Sequence, residues 1–120
     1  MLLLFSSPIE KFHINQLSYL HKNHCLLAQN IANSSTAGFK AKKLEQPIDY
    51  KSFIHHLQNT QKIPDAKISY VNGQVKPNGN DVNEKEQYRQ MLSNENIIDL
   101  EQSILQEFSK LNAIAAGIHH

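Results

Sequence analysis

The sequence predicts a mainly α-helical fold. Two long helices at the N- and C-terminal ends form a coiled-coil-like pair around a loop-rich middle that holds a short β-hairpin. Three observations predict it. A helix-start signal followed by apolar residues at spacings of three and four occurs near each end of the chain. The prolines after Pro8 (Pro47, Pro64 and Pro77) all fall in the middle, and three of the four glycines lie in or beside turns. Ile68 to Val75 places Asn72-Gly73 between apolar residues, the short-range signature of a hairpin turn.

The N-terminal helix is expected over residues 7–33. Ser7 is a candidate N-cap, Pro8 suits the first helical position, and Glu10 stands where a capping box needs its acid. Leu17, Leu20, His24, Leu27 and Ile31 then form an apolar seam, broadened by the small residues Cys25, Ala28 and Ala32. The C-terminal helix is expected over 83–118. Asn83 and Glu86 repeat the capping pattern, and Ile97, Ile104, Leu111 and Ile118 recur every seven residues. Leu100 and Ile114 take intervening seam positions; Glu107 interrupts that second row, with Phe108 beside it as a substitute. In the middle, residues 34–82, Phe53, Ile54 and Leu57 suit one or two helical turns, and Pro77-Asn78-Gly79-Asn80 reads as a turn.

Length and composition bound the function. A chain of 120 residues is one domain, and 40% apolar residues without tryptophan give it a thin core. Net charge is +1, which argues against a polyanionic partner and nucleic acid. Lys40, Lys42 and Lys43 form a local basic patch, and residues 81–86 an acidic one; both read as solvated surface. Met1-Leu2-Leu3-Leu4-Phe5 is too short to span a bilayer and lacks the charged start of a cleaved signal. The single cysteine, Cys25, excludes an internal disulfide.

No catalytic motif is present, so the chain is not expected to be an enzyme, and no cofactor is expected. His21 and Cys25 share a helix face and could offer two metal ligands, but an incomplete site. His24 is better explained at the seam edge and Cys25 as a small packed residue, so no metal is expected.

The end of the first helix carries the most information. Asn30-Ile31-Ala32-Asn33 is followed by Ser34, Ser35 and Thr36, and then by Ala37-Gly38-Phe39. Asparagine and glycine tolerate the left-handed conformation that ends helices, and the hydroxyl residues can satisfy leftover backbone groups. Phe39 can fold back onto the apolar face.

With Leu26-Leu27-Ala28-Gln29 before it, this stretch resembles the N-terminal signature of the flagellar basal-body rod, hook and hook-associated proteins. The matching positions are Asn30, Ile31, Ala32, Asn33, Thr36, Gly38 and Phe39. The short chain, Asp49-Tyr50, the Pro77–Asn83 turn with Glu86, and the ending Leu111–Gly117 are similar to the proximal rod, or FlgB, type. Ala37 departs from the proline usual before the glycine, and Ile98 from a frequent tyrosine.

The resemblance implies a structural subunit of the rod that crosses the periplasm, needed for flagellum assembly and motility. It implies FlgC-, FlgF- and FlgG-type neighbours, the adaptor FliE and the membrane ring as partners. It also implies export by the flagellar type III apparatus without a cleaved signal peptide. The seam would comprise Leu17, Leu20 and Leu27 with Ile97, Ile104, Phe108 and Leu111, buried between subunits as folding couples to assembly. A helical adaptor or secretion-chaperone module is the alternative reading.

Overall fold

A computed structural model describes residues 7–45, 47–71 and 75–117. The order of elements is α1 (Pro8–Ala32), β1 (Lys42–Leu44), α2 (Tyr50–Thr60), β2 (Ile68–Tyr70) and α3 (Glu84–Ala115). The chain is mainly helical with one small antiparallel sheet. Its long terminal helices match the expected spans to within a few residues; Ile118 lies outside the described residues.

Both helix starts obey the local chemistry read from the sequence. Ser7 Oγ accepts from Glu10 N at 3.3 Å, with Pro8 in the first turn. Asn83 Oδ1 accepts from Glu86 N at 3.1 Å. The reciprocal half of each capping box is redirected. The buried Glu10 carboxylate accepts from Asn112 Nδ2 on α3, and Glu86 bonds Arg89 and Gln90. Glu10 therefore ties α1 to α3 instead of closing its own first turn.

The described middle is more helical than the sequence predicts. Where one or two turns were expected, α2 runs for 11 residues. Asp49 starts it, its Oδ1 accepting from Ser52 N at 2.8 Å. Bonds from the Ser52 backbone and side chain hold the Asp49 carboxyl below its usual value. A depressed carboxyl stabilises the fold above the unfolded-chain pKa, and that contribution disappears as pH falls through the lower folded value. Asp49→Asn is therefore expected to remove the acid-side loosening of α2 below about pH 4, read by hydrogen exchange of residues 50–60.

The turn of the expected local hairpin lies outside the described residues, and the pairing that is described is a longer-range one. Ile68–Tyr70 pairs with Lys42–Leu44, in the register Lys42↔Tyr70, Lys43↔Ser69 and Leu44↔Ile68. Long-range pairing prevailed because β1 already carries buried Leu44. Asn72-Gly73 lies outside the described residues.

The α1 and α3 helices run antiparallel and make the main tertiary packing, with β1 against α1 and α2 against its first half. Among the described residues, Leu20, Leu26, Leu27, Ala41, Leu44, Phe53 and Val82 are the buried apolar ones. Phe12 links α1 to α2, its ring edge-on to Phe53 at 5.5 Å and to Tyr50 at 5.4 Å. The radius of gyration is 18.0 Å. A compact chain of this length would have about 14 Å, so the molecule is a rod with much surface for its core.

Candidate functional site: the helix exit and the two faces of α3

The helix exit is docked against the turn that leads into α3. Helix α1 ends at Ala32, and Asn33 takes φ −105°, outside the left-handed region. The left-handed residue is Gly38, at φ +74°. The expected sharp exit is thus spread over a short turn series. Thr36 N donates to Asn33 O, and Phe39 N donates to Thr36 O. Asn33 Nδ2 caps Gln29 O, and Thr36 Oγ1 donates to Asn33 Oδ1.

Asn80 closes this corner from the other side. It is 0% exposed. Its Nδ2 donates to Asn33 O and to Thr36 O, both at 2.7 Å, and its Oδ1 accepts from Val82 N at 2.7 Å. Gly38 N donates to Asn78 O, Asp81 N donates to Phe39 O, and Ala41 N donates to Asp81 Oδ1 at 2.6 Å. Lys40 Nζ and Lys76 Nζ reach carbonyls across the junction, Gly79 O and Ser34 O, so both lysines serve the corner.

Gly79 belongs to the same close approach. It has φ +82°, and a Cβ there would stand 3.3 Å from Gly38 Cα. Gly79→Ala is expected to cost about 1–2 kcal/mol from backbone conformation alone, with added pressure on Gly38. Gly38→Ala should cost less, since a Cβ at Gly38 meets nothing within 4 Å. Urea unfolding of the two variants checks the order.

Asn30, 1% exposed, works inside the fold. Its amide donates to Lys42 O at 2.7 Å and accepts from Lys42 N at 3.0 Å, so it pairs with β1 as a peptide group would. It also donates to Gln87 Oε1 on α3 at 2.9 Å. Among the motif residues, Asn30, Ile31, Asn33, Thr36, Gly38 and Phe39 are bonded into this corner, Ile31 through its carbonyl, which accepts from Ser34 N, while Ala32 is exposed.

The seam residues divide between the inside of the single chain and its surface. On α1, Leu20 and Leu27 are buried and Leu17 is half-buried within the single chain. On α3, Ile104 and Phe108 are half-buried, but Ile97 and Leu111 face outward. Ile97, Leu100, Leu111 and Ile114 keep between 44% and 64% of their surface exposed. The inward row is out of phase with them: Gln87, Asn94, Glu101 and Phe108 recur every seven residues. Met91, Ile98 and Leu105 fall half-buried between them by helical spacing.

Polar pairs therefore cross the α1–α3 contact along its length. Asn30 meets Gln87, and Asn23 Nδ2 donates to Asn94 Oδ1 at 3.2 Å. Asn94 Nδ2 donates to Leu20 O at 2.8 Å, and His13 Nδ1 donates to Glu101 Oε2 at 2.8 Å. Asn112 donates to Glu10. The seven-residue recurrence of Gln87, Asn94 and Glu101 was visible in the sequence, but the stronger apolar recurrence beside it masked it. Asn80 carried no signal beyond a turn.

The other candidates assemble no reactive site. Cys25, expected to be packed, is exposed beside a groove of about 460 Å³ that His21, Leu26, Leu44 and Ile68 also line. Among the described residues no three His, Cys, Asp or Glu side chains gather as a metal site. No described helix is long and apolar enough to cross a membrane. No family profile matches the chain, and no curated protein matches it in sequence.

Proposed function

We propose that this chain is a structural subunit of the bacterial flagellar basal-body rod, of the proximal FlgB type, and not a catalyst. The observation that carries the reading is the outer row of α3. Ile97, Leu100, Leu111 and Ile114 remain exposed after the chain has packed its own helices. An apolar row of that length beside polar surface suits contact with another helix. The helix exit, with its resemblance to the rod signature, then serves as a rigid junction that holds α1 and α3 at a fixed angle to β1.

In this reading the terminal helices pack in coiled-coil fashion with those of FlgC-, FlgF- and FlgG-type neighbours, and the rod base contacts FliE and the membrane ring. The subunit leaves the cell body through the flagellar type III apparatus and works in the periplasmic rod. The polar α1–α3 contact supports passage through a narrow channel, since a pair rich in desolvated polar groups separates at lower cost than a wholly apolar one. Much of the ordering is then completed on assembly, where the outer row of α3 is covered.

The test is Leu100→Asp with Leu111→Asp. Both positions are exposed, so the isolated chain should keep its helical content in circular dichroism. Cells relying on this variant are expected to lose swimming and to build no rod. Full motility, with rods present in purified basal bodies, would refute the proposal.

A further inference from the structure

The α3 helix offers two faces to α1, and α1 occupies the less apolar one. Over the half from Ile97 onward, the outer face carries Ile97, Leu100, Leu111 and Ile114, with half-buried Ile104 at its edge and Glu107 as the one carboxylate interrupting it. The occupied face carries Ile98, Leu105 and Phe108, interleaved with Asn94, Glu101 and Asn112. The two rows sit roughly a quarter-turn apart on the helix, at about 100° per residue. Apolar burial alone would draw Leu17 and Leu20 of α1 to the outer row.

We infer that the polar pairs select the face: Asn94 with Asn23 and Leu20 O, Glu101 with His13, and Asn112 with Glu10 hold the outer row of α3 away from α1. Each polar group on the occupied face has a partner on α1. Turning α3 to bury the outer row would strand Glu10 and Asn23 against hydrocarbon, while the present arrangement satisfies both. Polar groups at seam positions fix helix register in the same way in coiled coils. Leu20 O already accepts its helical bond, so its link to Asn94 acts as an additional directional constraint. The selection operates within one molecule and stands whether or not the chain serves a flagellum.

The experiment reads which face is buried. In the full chain with the exposed Cys25 replaced by serine, Leu111→Cys reports the outer face and Leu105→Cys the occupied one. With the polar pairs intact, a small thiol reagent should label the Leu111→Cys chain faster than the Leu105→Cys chain. Adding Asn94→Ala, Glu101→Ala and Asn112→Ala is expected to reduce the ratio of the two rates by about tenfold or to invert it. The milder pair Glu101→Ala and Asn112→Ala should move the ratio in the same direction, and it decides the matter if the triple variant loses its helical dichroism. A ratio unchanged from the parent, in a chain that keeps that dichroism, overturns the inference.

Discussion

Asn80→Ala is expected to lower the unfolding free energy by about 2–4 kcal/mol, mainly through one orphaned donor. Val82 is 1% exposed, and its N–H donates to Asn80 Oδ1. Nothing replaces that acceptor in the alanine chain. The carbonyls of Asn33 and Thr36 lose less, because each also accepts from a backbone N–H, those of Thr36 and Phe39. Asn80→Asp separates these contributions. The carboxylate can still accept from Val82 N, but it faces two carbonyl oxygens at positions where the native amide donates. Both variants should shift the urea midpoint down without changing the slope. A loss below about 1 kcal/mol in both would show that the corner is held by its backbone bonds instead.

Phe53→Ala is expected to cost about 3–5 kcal/mol, the usual range for emptying a fully buried aromatic site. Phe53 is the largest side chain with 0% exposure among the described residues, and it is the buried anchor of α2. Its ring meets Phe12 edge-on, so the loss includes that contact. The damage should be local. Amides of residues 50–60 should lose exchange protection first, while those across the α1–α3 contact keep theirs. Phe12→Ala should cost less, because Phe12 is only half-buried. Uniform loss of protection in Phe53→Ala would mean that α2 and the long helices unfold as one unit.

The two long helices were legible because Ser7-Pro8 and Asn83 are strong local start signals whose chemistry needs no distant partner. The face that α3 turns inward was not. Apolar periodicity finds a stripe, but it does not say whether a neighbouring helix or another molecule covers it, and here it pointed to Ile97 and Leu111. The inward row depended on pairings 57 to 102 residues apart in sequence, such as Asn30 with Gln87 and Glu10 with Asn112. The strand pairing of Lys42–Leu44 with Ile68–Tyr70 was not legible for the same reason: local turn propensity at Asn72-Gly73 is visible, and long-range register is not. At the helix exit the glycine at Gly38 was legible as the left-handed residue, while the sharp stop expected at the asparagines is instead a short turn series. Its dependence on Asn80 shows only in the folded chain, since a buried asparagine and an exposed one look alike in a turn sequence.

The side-chain amide of Asn30 stands in for a neighbouring peptide at Lys42, supplying both a donor and an acceptor to the outward edge of β1. That margin of the two-stranded ribbon is therefore already terminated by a helix. Any extension of the ribbon has a single direction left, past Ile68 and Tyr70, whose side chains stand in solvent.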